Sequence, residues 1–138
     1  MRRPLAAALF AFAATGAAAE GLPGPRVTAE AFEAETEGRT LRFEAAGRPH
    51  GAERYLPGRE VIWQDVNGTC RRGVWREAGG AFCFLYEDDP DGWTCWDVWR
   101  EDGALVARPV GAPEGTPALR AAGSSDRPLV CDEFDVGS

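Results

Sequence analysis

The chain has 138 residues, 44% of them hydrophobic, and carries 22 acidic side chains against 15 basic ones, for a net charge of −7. That balance argues against nucleic acid and anionic membrane surfaces as partners, since both are recognised through clustered positive charge, and any charged protein partner is expected to be basic. The length suits one domain with one core.

The first elements in chain order are a basic start at Met1-Arg2-Arg3, an apolar run from Leu5 to Ala14, and Ala17-Ala18-Ala19 ahead of Glu20. Together they predict a cleaved secretory signal peptide over 1–19. The apolar run is short for a bilayer span, and no cysteine follows the small residues, so the mature chain 20–138 is expected to lack a membrane anchor. Losing Arg2 and Arg3 leaves 13 arginines against 22 acids, a net charge of −9. Every basic residue is arginine, and Ala, Gly and Pro are abundant. That usage fits a GC-rich bacterial genome and makes the expected destination the periplasm or the extracellular space.

A short helix is predicted to begin after Thr28, its N-cap, with Val27 and Phe32 placed as a hydrophobic staple and Gly38 as its stop. Strands are predicted at Thr40–Ala45, Ala52–Leu56 and Glu60–Val66, the last followed by Asn67-Gly68, the sharpest hairpin signal in the chain. Cys70–Arg76, Ala81–Glu87 and Trp93–Arg100 form a three-stranded antiparallel meander, turned at Gly79-Gly80 and at Asp88-Asp89-Pro90-Asp91-Gly92. Ala104–Arg108 adds a seventh strand. From 109 to 128 the composition shifts to Pro, Gly, Ala and Ser, which predicts an irregular excursion before a last strand at Leu129–Phe134. The expected fold is all-β: an antiparallel meander of about 7–8 strands curling into a small lipocalin-like barrel, closed because closure removes exposed edges, and preceded by the single helix.

If the 88–92 turn is symmetric, Cys83 faces Cys95, Leu85 faces Trp93 and Phe82 faces Trp96. Period-two alternation then gathers Trp75, Phe82, Phe84, Tyr86, Trp96 and Val98 on one face, the expected core. The opposite face carries Cys83, Leu85, Trp93, Cys95, Asp97 and Trp99. A sheet apolar on both sides is either covered twice or offers a binding surface. The same register favours a Cys83–Cys95 disulfide, leaving Cys70–Cys131 as the second, in keeping with an exported chain. Spacings of 13, 12 and 36 between the cysteines, with one distant histidine, do not resemble a zinc site, and no metal or cofactor is expected.

Other candidate sites have plainer readings. Glu87, Asp89 and Asp91 fall at calcium-loop spacing, but Val98 stands where the closing glutamate belongs, so the segment reads as a solvated hairpin tip. His50 and Glu53 could form an acid/base pair or ligands, yet a locally bonded loop histidine is the simpler reading. Ser124-Ser125-Asp126 lacks a nucleophile elbow and reads as loop. Arg71, Arg72 and Arg76 with Trp75 could hold an anion or pair with acids on neighbouring strands. Trp63, Trp93 and Trp99 are read as sharing one face, where Asp97 and Arg72 would complete a ligand site for sugars or cations, although packing is the simpler reading of these rings.

Gly73-Val74-Trp75, Phe82-Cys83-Phe84-Leu85-Tyr86-Glu87-Asp88 and Cys95-Trp96, preceded by Tyr55-Leu56-Pro57-Gly58-Arg59 and Val61-Ile62-Trp63, resemble a group of short exported alphaproteobacterial proteins of unknown function. The resemblance covers residues 28 to 108. It implies an exported, β-rich domain and transfers no catalytic residue. The expected function is therefore a non-enzymatic, monomeric β-barrel that binds a small molecule or a protein partner. The alternatives are a periplasmic inhibitor or chaperone-like module docking through the acidic 87–91 tip, and a hydrolase built on His50 with Glu53.

Overall fold

The structure, a computed structural model, describes residues 21–132; the segment read as a signal peptide lies outside them. Thr28 caps α1 (Ala29–Thr36), its Oγ1 accepting from the Ala31 N–H, and Gly38 takes φ +75° just past the helix end. Eight strands follow: β1 (Thr40–Ala45), β2 (Arg48–Leu56), β3 (Glu60–Asp65), β4 (Cys70–Ala78), β5 (Ala81–Tyr86), β6 (Thr94–Glu101), β7 (Ala104–Pro109) and β8 (Leu119–Ser125). Each pairs antiparallel with its neighbours, and β8 pairs with β1, giving a closed barrel.

The predicted register holds in the meander. Cys83 faces Cys95, Phe82 faces Trp96, and Trp75 faces Phe84. Ladder pairing of β5 with β6 ends at Phe84–Thr94, so Leu85 and Trp93 lie beyond it. Alternation turns Leu41, Phe43, Tyr55, Val61, Trp75, Phe82, Phe84, Val98 and Leu105 inward, and all are buried.

The last strand differs from the sequence expectation. It is Leu119–Ser125, inside the 109–128 segment, and Ser124 and Ser125 belong to it rather than to a loop. Ala121, Ala122 and Gly123 carry little intrinsic strand propensity, so local pattern does not reveal this strand; pairing along both edges creates it. Of the segment read as the last strand, Leu129 and Cys131 instead pack outside the barrel on Ala52, Ile62 and Cys70. β2 also starts earlier than expected, at Arg48, because a bulge opposite Phe43 and Glu44 absorbs Pro49 and His50 into the strand.

α1 closes one end of the barrel. Phe32, 3% exposed, sets its ring centroid 5.5 Å from Tyr55, 5.1 Å from Trp75 and 4.5 Å from Phe82. Such a burial contributes about 1.5–3 kcal/mol. Glu33 holds Arg59 at 2.9 Å and Glu35 pairs with Arg100, fastening the helix over the β2–β3 turn and β6. The preceding segment adds two backbone bonds to β6, Val27 N–H to Val98 O at 3.4 Å and Arg100 N–H to Pro25 O at 3.1 Å.

Two disulfides sit on the outer surface, Cys83–Cys95 and Cys70–Cys131, and no free cysteine occurs among the described residues. This is the chemistry of an oxidising, non-cytoplasmic compartment. The bridges span 12 and 61 residues of chain, for which chain entropy predicts roughly 3 and 4 kcal/mol. The paired Cys70→Ser/Cys131→Ser variant is therefore expected to lose more stability than Cys83→Ser/Cys95→Ser in urea denaturation without reductant. Equal losses would show that loop length does not set the relative contributions of the two bridges.

Candidate functional site

Eight strands enclose an interior just wide enough to be filled by side chains or to hold one small ligand. Here the filling is incomplete. Beyond the Phe32 floor lies a cavity of about 260 Å³ lined by Phe43, Trp63, Phe84, Tyr86, Trp96, Val98 and Leu105. Its far end is ringed by residues that follow turns at the end opposite α1: His50 after the β1–β2 turn, Arg71 after β3–β4, Asp89 within β5–β6 and Leu119 after β7–β8. His50 and Arg71 are exposed at this rim.

Two glycines shape the wall. A Cβ on Gly51 would lie 2.3 Å from Trp63 Cζ2, and one on Gly73 would lie 2.7 Å from Tyr86 Cδ1. Both distances are far inside van der Waals contact, so only glycine lets these rings lie flat across the neighbouring strands. Trp63 then approaches Phe43, with centroids 6.3 Å apart, and Tyr86 stacks parallel to Phe84 at 6.3 Å.

One ionisable group lies deep in this apolar wall. Glu53 shares the inward parity of Gly51 and Tyr55 on β2, faces Trp63 on β3, and is 2% exposed. Its carboxyl oxygens lie 2.9 and 3.0 Å from the Tyr86 hydroxyl, which reaches across the barrel from β5. No ion pair joins Glu53 to an arginine among the described residues. Burial pushes its pKa from the ordinary 4.5 to about 8, opposed in part by the Tyr86 hydrogen bond. Burial and the Glu53 charge raise the Tyr86 and Tyr55 phenols as well. At neutral pH the carboxyl is thus a neutral acid, able both to donate and to accept a hydrogen bond.

The structure scatters the residues expected to form one tryptophan face. Trp63 is inside the barrel. Trp93 is 38% exposed on the outside, with Arg76 stacked 4.1 Å from its ring centroid. Trp99 is 2% exposed on the outer side of β6, its Nε1 without a hydrogen-bond partner among the described residues. Asp97 lies 3.8 Å from Arg26. Arg72 alternates with inward Arg71 and lines an external groove with Leu56, Ile62 and Leu85. The expectation fails because Trp63 has the inward parity of β3, whereas Trp93 and Trp99 have the outward parity of the β6 region.

Sequence reasoning overlooked the arrangement of Glu53, Tyr86, Phe43, Trp96 and Thr94 around one space. A signal was present: Glu53 and Tyr55 have the same parity, so an acid falls on the core-facing side of β2. His50 and Glu53 do line the same cavity, with the imidazole at the rim, 5.8 Å from the Trp63 ring centroid. At the acidic tip, Asp89 accepts from the Asp91 N–H at 2.9 Å, a turn contact. No cluster of three metal-ligating side chains occurs among the described residues. No family model, curated protein or solved structure matches the chain.

The raised pKa of Glu53 has a definite consequence for stability. The folded protein keeps this proton while the unfolded chain releases it near pH 4.5, so the contribution is fully present below 4.5 and is lost as pH rises to about 8. Each unit corresponds to about 1.4 kcal/mol, so the full effect is roughly 5 kcal/mol. Glu53→Gln is expected to flatten this decline when urea midpoints are measured across the range. Parallel pH profiles for the two proteins would show Glu53 ionised or hydrated in the fold.

Proposed function

We propose that this protein is an exported, non-enzymatic binding protein that carries one small molecule inside its barrel, in the periplasm, as a monomer. The observation that carries the reading is the cavity: closed by Phe32 at one end, walled by aromatic rings, and equipped with one buried carboxyl. Few polar groups in an apolar concavity are the usual make-up of a ligand site. At about 260 Å³ the space lies near the lower end of known pockets, which favours a compact ligand over a long-chain lipid. The two disulfides support export, and the expected signal peptide accords with it.

A second reading draws on a specific feature. A buried acid with a pKa near 8 suits general acid–base chemistry, and His50 lines the same cavity. The two readings differ in the fate of the ligand, which a carrier returns unchanged and an enzyme converts.

The test is a thermal-shift screen of small apolar and amphipathic compounds, with recovered ligand identified by mass spectrometry. Wild-type protein is expected to gain stability with a subset of compounds and to return them intact. Ala107→Phe, which fills the cavity from β7, is expected to abolish the response while keeping the β-sheet circular dichroism spectrum. Trp93→Ala, on the outer surface, is expected to leave it unchanged. A response that survives Ala107→Phe and disappears in Trp93→Ala would move the site to the barrel exterior. A converted product would establish the enzymatic reading.

A further inference from the structure

Building on the ligand-binding reading above, we infer that the barrel takes an organic ammonium cation, its charged nitrogen set against Glu53 within the ring of Phe43, Trp63, Phe84, Tyr86 and Trp96.

The geometry points this way on three counts. First, Glu53 is a carboxyl kept in an apolar interior with Tyr86 as its side-chain hydrogen-bond partner and no arginine paired to it among the described residues. A buried acid without a counter-charge is costly to the fold, and a cationic ligand would supply the missing charge. Second, the wall around it is made of aromatic rings, whose faces attract cations, most strongly where water is excluded. Gly51 and Gly73 keep the Trp63 and Tyr86 rings in this arrangement, because any Cβ at either position would collide with them. Third, the chain carries a net charge of −7, a field that draws cations and disfavours anions.

The charged groups facing this space are few. Tyr55 lies beside Glu53 on β2 and Tyr86 reaches it from β5, and both phenols are uncharged because their pKa values are pushed upward. His50, Arg71 and Asp89 stand at the rim. Arg71 is exposed and its charge reaches the Tyr86 phenol, a repulsion toward cations that water, salt and Asp89 at the same rim weaken.

Binding includes a proton step. In the free protein the Glu53 carboxyl holds a proton at neutral pH. As the ammonium enters, that proton passes to solvent buffer, the carboxylate forms, and the Tyr86 O–H donates to it. One positive charge replaces another, and no bond to the ligand forms or breaks.

Isothermal titration calorimetry on the full mature chain tests this with a matched pair of probes, 2-phenylethylammonium and its neutral analogue 2-phenylethanol, near neutral pH. The ammonium is expected to bind at least tenfold tighter than the alcohol. Its heat should change with the ionisation enthalpy of the buffer, in proportion to the fraction of Glu53 that is protonated; the alcohol should show no such dependence. Glu53→Gln is expected to weaken the ammonium at least tenfold, abolish its proton release and leave the alcohol within threefold. If the alcohol binds as tightly as the ammonium, or Glu53→Gln leaves ammonium binding intact, the cation inference falls while the cavity remains a ligand site. If wild-type protein binds neither probe at millimolar concentration, the cation inference falls, and the compound screen above decides the ligand-binding reading separately.

Discussion

Closure of the sheet is the constraint on which everything else in the barrel depends. β8 bonds to β7 on one side, through two residue pairs, and to β1 on the other, so the sheet closes on itself and alternate side chains turn to the interior. That interior admits about one layer of side chains, and its filling is uneven along the axis. Toward α1, Phe32, Tyr55, Trp75 and Phe82 pack ring against ring, with Val61 buried in the same cluster. Toward the other end, the Trp63 and Tyr86 rings lie over Gly51 and Gly73, and the small Ala107 leaves part of the interior unfilled as the cavity.

Glu53 is a buried acid in this arrangement. An ionised carboxylate in an apolar wall is strongly disfavoured, and the protein responds by keeping the group protonated and bonded to Tyr86. Retaining a group that works against stability in a concave, aromatic space is characteristic of functional sites.

The outer surface shows how a sheet apolar on both faces is managed. The segment before α1 bonds to β6 and covers Trp99, while the segment after β8 is drawn by Cys70–Cys131 onto Ala52 and Ile62. Cys83 is buried beneath its own bridge. Trp93 stays part-exposed but is capped by Arg76, whose guanidinium stacks on the ring without losing contact with water. The two-sided apolar pattern therefore reflects packing by the described segments that flank the barrel, and the cavity is inside.

By itself the sequence determined what is encoded locally. Thr28 and Gly38 delimit the helix, Asn67-Gly68 and Gly79-Gly80 set the hairpins, and period-two alternation around Cys83 and Cys95 sets the register, the disulfide and the core face. These follow from backbone geometry and side-chain type within a few residues of one another. The tertiary structure alone decided three things. It made a strand of Leu119–Ser125, because pairing with β1 and β7 supplies hydrogen bonds that Ala, Gly and Ser do not ask for by propensity. It separated Trp63 from Trp93 and Trp99, because parity relates side chains within one paired register and not across turns of unknown geometry. It brought Glu53 to Tyr86 across the barrel, a contact between strands that are not neighbours in the sheet. Only the curvature of the closed sheet creates that contact, and no local pattern in the chain contains it.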